Sequence, residues 1–137
     1  MVGLPHWEAY VGQAYLAPRR TILCIDDDDA ILRYERALLE RSGYNVLTAT
    51  SGQQGLTLVM MTQIDAVVLD CSMPGMSGHR VAAAIKECRP GILIVMFSAS
   101  EIPEETSRLV DAVVHKTDAI GELLPTVAQL CNRASPC

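Results

Sequence analysis

Ala66-Val67-Val68-Leu69-Asp70 is a run of four aliphatic residues that ends in a carboxylate, and the segment 71–77 after it contains Met73-Pro74-Gly75-Met76. The run has the length and β-branched content of a buried strand, and the Pro-Gly pair marks a loop. Three more apolar runs end in the same manner: Ile22-Leu23-Cys24-Ile25 in Asp26-Asp27, residues 92–97 (ILIVMF) in Ser98, and Ala112-Val113-Val114-His115 in Lys116. If the runs are parallel strands of one sheet, the four polar ends share its carboxyl edge, where open parallel sheets bind ligands.

Between these runs the pattern changes to helical spacing. Strands are expected over about 21–26, 45–49, 65–70, 91–97 and 111–115. Asp28 or Asp29 is placed to cap a first helix that Gly43 ends, with Ile31, Tyr34 and Leu38 as its buried stripe and Leu39 beside them. Ser51 opens a second helix reaching Met61, and Gly78 to Glu87 is a third. A short fourth helix over about 103–110 starts with Pro103 in its first turn. The last helix runs from Thr117 or Asp118 to Asn132, with Pro125 expected to kink or divide it. The weakly apolar strand at 45–49 suits a sheet edge. Alternating strands and helices predict a doubly wound α/β fold with a parallel sheet and helices on both faces.

At 137 residues the chain accommodates one domain and a short extension. The expected division is an N-terminal extension at 1–20, one domain at 21–133 and a tail at 134–137. In the extension, Trp7, Tyr10, Val11, Ala14 and Tyr15 follow the spacing of one helical face, as in a short amphipathic helix. The formal net charge of −5 argues against direct nucleic-acid binding and against docking on anionic lipid. No apolar run approaches a membrane span, and no signal peptide is evident at the N-terminus. Five cysteines, an odd number with no CxxC pair, argue against a disulfide framework or zinc site and favour reduced thiols and a cytoplasmic location.

Asp26, Asp27 and Asp70, brought to one edge, would repel one another. Two like charges 4 Å apart cost about 4 kcal/mol at an effective dielectric near 20. A divalent cation relieves this, and an all-oxygen donor set favours Mg2+, with Mn2+ as the alternative, over zinc. Asp70, alone at its strand end, is the candidate nucleophile toward phosphorus, with Lys116 and the Ser98 hydroxyl to receive phosphoryl oxygens.

In ILCIDDD, VVLDCSMPGMSG, VMFSAS and VVHK the chain resembles a response-regulator receiver domain of two-component signalling, over about residues 21–132. The resemblance implies a five-stranded parallel sheet of order 2-1-3-4-5 with five helices. It implies that Asp26 and Asp27 are the metal-binding pair, that Asp70 is the phosphoacceptor and also touches the metal, and that the Ser72 backbone carbonyl is the remaining protein ligand. Ser98 and Lys116 take the places of the switch hydroxyl and the phosphate-binding lysine, and Ser72 and Ser100 those of lifetime-tuning residues. The implied partners are a histidine kinase or phosphotransfer protein and a downstream protein target; a homodimer is a separate expectation, with the N-terminal stripe as one surface for it. Thr117 stands where receivers usually have proline, and Val113 where many have an aromatic residue. The segment between Ser98 and Lys116 is about four residues shorter than usual, so the fourth helix is expected to be short or missing.

The leading expectation is a non-enzymatic, magnesium-dependent phosphoacceptor switch in a phosphorelay, either stand-alone or excised from a longer protein. The alternatives are a degenerate receiver that binds a partner without phosphorylation and an aspartate-nucleophile phosphatase using Asp26-x-Asp28.

Overall fold

The strands that carry the polar ends are one sheet. The computed structural model describes residues 19–134, with the side chains of 118–120 and 134 left out of the description. The sequence readings for 1–18 and 135–137, including the amphipathic stripe and His6, lie outside the described residues. β1 (Thr21–Ile25), β2 (Asn45–Ala49), β3 (Ala66–Asp70), β4 (Leu93–Ser98) and β5 (Ala112–His115) pair in parallel in the order 2-1-3-4-5. The helices are α1 (Asp29–Arg41), α2 (Gly52–Met61), α3 (Gly78–Cys88), α4 (Glu104–Leu109) and α5 (Ala119–Ala134), the last preceded by a 3-10 turn at Lys116–Asp118.

The period of two along each strand divides the core. Ile22, Cys24, Ala66, Val68, Val95 and Phe97 face α1 and α5, where they meet Leu32, Leu39, Leu123 and Val127. Leu23, Ile25, Val67, Leu69, Ile94 and Met96 face the other way, onto Val59 of α2 and Val81, Ala82 and Ile85 of α3. Every residue of β3 is buried, as a doubly covered central strand requires, whereas β2 lies at an edge with Asn45 exposed.

Local chemistry sets the helix ends. Asp28 caps α1 by accepting from the backbone N–H groups of Ala30 and Ile31, and Gly43, at φ +94°, closes its C-terminal end. Ser51 and Ser77 cap α2 and α3 in the same way.

Two expectations are corrected. The buried stripe of α1 is Leu32, Glu35 and Leu39, one position on from Ile31, Tyr34 and Leu38; Tyr34 is exposed. The apparent phase was wrong because Glu35 occupies a position in the buried row that reads as polar. Pro125, expected to kink or divide the last helix, lies inside α5, so the division does not occur.

The short α4 has six residues, and other groups hold the segment around it. Thr106, buried, shares a 2.8 Å hydrogen bond with His79 Nδ1 of α3. Just before β5, Asp111 Oδ2 accepts from Lys86 Nζ at 2.9 Å and from the Ile94 N–H at 2.8 Å, and the Asp111 N–H donates to the Ile94 carbonyl at 2.9 Å. Cys24, Cys71 and Cys88 are thiols outside any disulfide.

Candidate functional site

Asp26 follows β1, Asp70 ends β3 and Lys116 follows β5, each continuing the strand parity that faces α1 and α5. Parity and parallel register therefore bring the three side chains to one place. Lys116 Nζ donates to Asp26 Oδ2 at 2.8 Å and to Asp70 Oδ1 at 3.3 Å. Carboxylate oxygens of Asp26, Asp27 and Asp70 lie within 4.8 Å of one another; Asp26 and Asp70 are buried and Asp27 is exposed.

The two buried carboxylates are engaged differently. Asp26 Oδ1 accepts the Asp28 N–H at 2.9 Å while Oδ2 takes the lysine, so both oxygens are committed. The partners of Asp70, Lys116 and the Ser72 N–H at 3.4 Å, both fall on Oδ1. Oδ2 is the freer oxygen. Burial and then the charge of Asp26 raise the pKa of Asp70, with Lys116 acting in the opposite direction. Lys116 loses some basicity to burial, but hydrogen bonding and charge from Asp26 and Asp70 outweigh that and raise its pKa.

Three carboxylates face one ammonium here, and the charge of Asp26 adds to burial in raising the pKa of Asp70. The donor set is all oxygen, with one ligand group open to solvent. These residues fit a small hard divalent cation such as Mg2+.

Ser98 belongs to the other strand parity. Its hydroxyl donates to the Ser100 carbonyl at 3.0 Å and accepts from the Ser100 N–H at 3.2 Å. The structure thus brings Asp26, Asp27, Asp70 and Lys116 together and turns the Ser98 hydroxyl onto its own loop. Ser72 is placed beside Asp70 by its N–H.

Two residues of the site were missed in the sequence. The Lys116 ammonium lies 5.7 Å from the centroid of the Phe97 ring, within cation–π range. Phe97 was read only as part of an apolar run, although its parity places it on the face that Lys116 joins. Glu35 of α1 lies beneath the pocket, 1% exposed, with Oε2 lacking any hydrogen-bond partner. Burial, then the charge of Asp26, pushes its pKa up to about 8, although the Cys24 thiol hydrogen-bonds to it. No pattern of spacing marks it. Its one signal is a carboxylate in the i, i+3, i+7 row Leu32–Glu35–Leu39. Burial, followed by the charge of Asp70, raises the pKa of the Cys71 thiol, which makes it less nucleophilic and disfavours a redox-sensing role.

Residues 22–118 match the family model described as the response regulator receiver domain. Among curated proteins, the response regulator MprA of Mycobacterium sp. (strain KMS) is 33% identical over 119 residues, covering 84% of this chain and 52% of that protein. The chain therefore spans about half the length of the curated relatives it matches. Among solved structures, the response regulator protein TrrA of Thermotoga maritima in complex with Mg2+-BeF is 30% identical, with a TM-score of 0.77 over 81% of this chain and 98% of that one. A complex of the histidine kinase ThkA with TrrA gives 30% identity and a TM-score of 0.75, over 81% of this chain and 97% of that one. No helix among the described residues is long and apolar enough to cross a membrane.

Proposed function

The chain belongs to the response regulator receiver domain family, and on that premise we propose that it is a signalling switch that takes a phosphoryl group onto Asp70. The observation that carries this reading is the pairing of Lys116 with both Asp26 and Asp70 inside a cluster of three carboxylates. Asp70 Oδ2 attacks phosphorus, the P–O bond forms as the bond to the donor's leaving group breaks, and an aspartyl phosphate results. Asp26, Asp27, Asp70 and the Ser72 carbonyl would hold Mg2+, which when bound would offset negative charge on the phosphoryl oxygens. Lys116 exchanges its bond to Asp70 for one to a phosphoryl oxygen. The Ser98 hydroxyl gives up its bonds to Ser100 to reach another, and that rearrangement alters the surface offered to a partner.

The donor is a histidine kinase or phosphotransfer protein, the setting cytoplasmic, and the only chemistry that of the chain's own phosphorylation and dephosphorylation. The receiver proper spans 21–133. A phosphatase using Asp26 as nucleophile is disfavoured, because both Asp26 oxygens are engaged and Asp28 caps α1. A phosphorylation-independent binding module is the second reading. It is favoured by Val113 in place of an aromatic residue and by the six-residue α4.

Incubation with Mg2+ and acetyl phosphate, followed by intact mass, separates these readings. One acid-stable, base-labile phosphoryl adduct is expected in the native chain and none in Asp70→Asn. An adduct that survives the substitution refutes the assignment of Asp70, and no adduct in the native chain selects the binding module.

A further inference from the structure

We propose that Phe97 is a positioning residue for phosphoryl transfer: its ring supports the Lys116 ammonium where the lysine crosses the sheet to reach Asp70. This role rests on the phosphoacceptor reading of the same pocket. The strand order creates the need for it. Lys116 leaves β5, the edge strand, whereas Asp70 ends β3 and Asp26 follows β1. Two strand spacings, about 10 Å, separate β5 from β3. The lysine therefore has to pass over the end of β4.

Phe97 stands at that crossing. It is the register partner of Asp70 on one side and of Val114 on the other. With Val114 it belongs to the core under α1 and α5, the face onto which Asp70 and Lys116 also turn. The residue is 3% exposed, so close-packed neighbours hold the ring in place. The Lys116 Nζ lies over the ring, 5.7 Å from its centroid.

An ammonium carries three donors. Among the described residues, its hydrogen-bond partners are Asp26 at 2.8 Å and Asp70 at 3.3 Å, and the ring face offers a further attraction through its quadrupole. Asp26 and the ring thus form a two-point mount. The longer bond, to Asp70, is the one left to be exchanged for a phosphoryl oxygen. A lysine stem is otherwise flexible, and a cation already in place needs no reorganisation as charge develops on the transferring group. An aliphatic side chain would fill the same space in the core, but only an aromatic face attracts the cation.

Phe97 is the only phenylalanine of the chain, so biosynthetic replacement of phenylalanine by its mono-, di- and trifluorinated forms alters this ring alone. Ring fluorine withdraws the negative charge that attracts a cation and changes the shape little. With Mg2+ and acetyl phosphate, the rate constant for forming the Asp70 adduct should fall stepwise along the series, to about a fifth in the trifluorinated chain. Mg2+ affinity should stay constant. In Lys116→Met the same series should be flat, and the fluorine NMR resonance of the monofluorinated chain should differ from that of the chain with its lysine. If the trifluorinated chain fails to fold by circular dichroism, the mono- and difluorinated chains supply the slope. A rate indifferent to fluorination overturns the role of Phe97 alone, as does an equally steep fall in Lys116→Met, which a purely packing role would produce. No adduct in the unmodified chain overturns the phosphoacceptor reading, and the role of Phe97 falls with it.

Discussion

Glu35→Gln should remove most of a pH dependence that the native chain carries through one buried carboxyl. In the fold, burial and then the charge of Asp26 raise its pKa from 4.5 to about 8. Between those values the folded chain keeps a proton that the unfolded chain has lost, so stability falls as pH rises through that window and levels off above it. At about 1.4 kcal/mol per pKa unit, the full penalty above pH 8 is on the order of 5 kcal/mol. Roughly half of it, 2–3 kcal/mol, accumulates between pH 5 and pH 7. Urea unfolding of the native chain and of Glu35→Gln, in chelator-treated buffer at about pH 5, 7 and 9, measures the difference between the two curves. That difference should move against the native chain by this amount as pH rises, whatever the offset at the lowest pH. Parallel curves would mean that Glu35 is already ionised at neutral pH, and the account of its burial would fail.

In Lys116→Ala, Mg2+ binding measured by calorimetry should be largely retained while the conformational response to phosphorylation weakens; loss of Mg2+ affinity alone would contradict the role proposed for the lysine. Asp27→Asn, at an exposed position, should weaken Mg2+ binding sharply yet change unfolding free energy by no more than about 0.5 kcal/mol. A Cβ at Gly78 would meet the Asp70 carbonyl oxygen and the Cys71 Cα, both backbone, so Gly78→Ala should cost roughly 1–3 kcal/mol in urea unfolding and slow phosphorylation. At Gly55 the added carbon meets only the Ile25 side chain, which can turn aside, and Gly55→Ala should cost less than Gly78→Ala in the same assay.

The sheet was legible because four strands are nearly pure aliphatic runs and each stops at a chemically distinctive residue. Strand order and the meeting of Asp26, Asp70 and Lys116 follow from parallel pairing and from parity. Parity also explains what was less legible. Phe97 shares the face of the lysine, and Ser98, one residue on, does not; its hydroxyl is satisfied by Ser100. Glu35 was hidden because hydrophobic periodicity treats every carboxylate as solvated, which shifted the apparent stripe of α1 by one residue. Of the two outcomes expected at Pro125, division does not occur, since α5 continues past the missing amide hydrogen bond.

The clasp made by Asp111 has a consequence for how this scaffold tolerates change. It ties the last strand to α3 and to the neighbouring β4 before the chain reaches Lys116, so the ammonium does not depend on the six-residue helix alone for its place. That helix is then held to the body mainly by Thr106, through His79, and by Leu109 at the core. Its amides should exchange with deuterium sooner than those of β5, and foreign recognition sequence could be grafted at its exposed positions, with Thr106 and Leu109 kept, without dismantling the pocket.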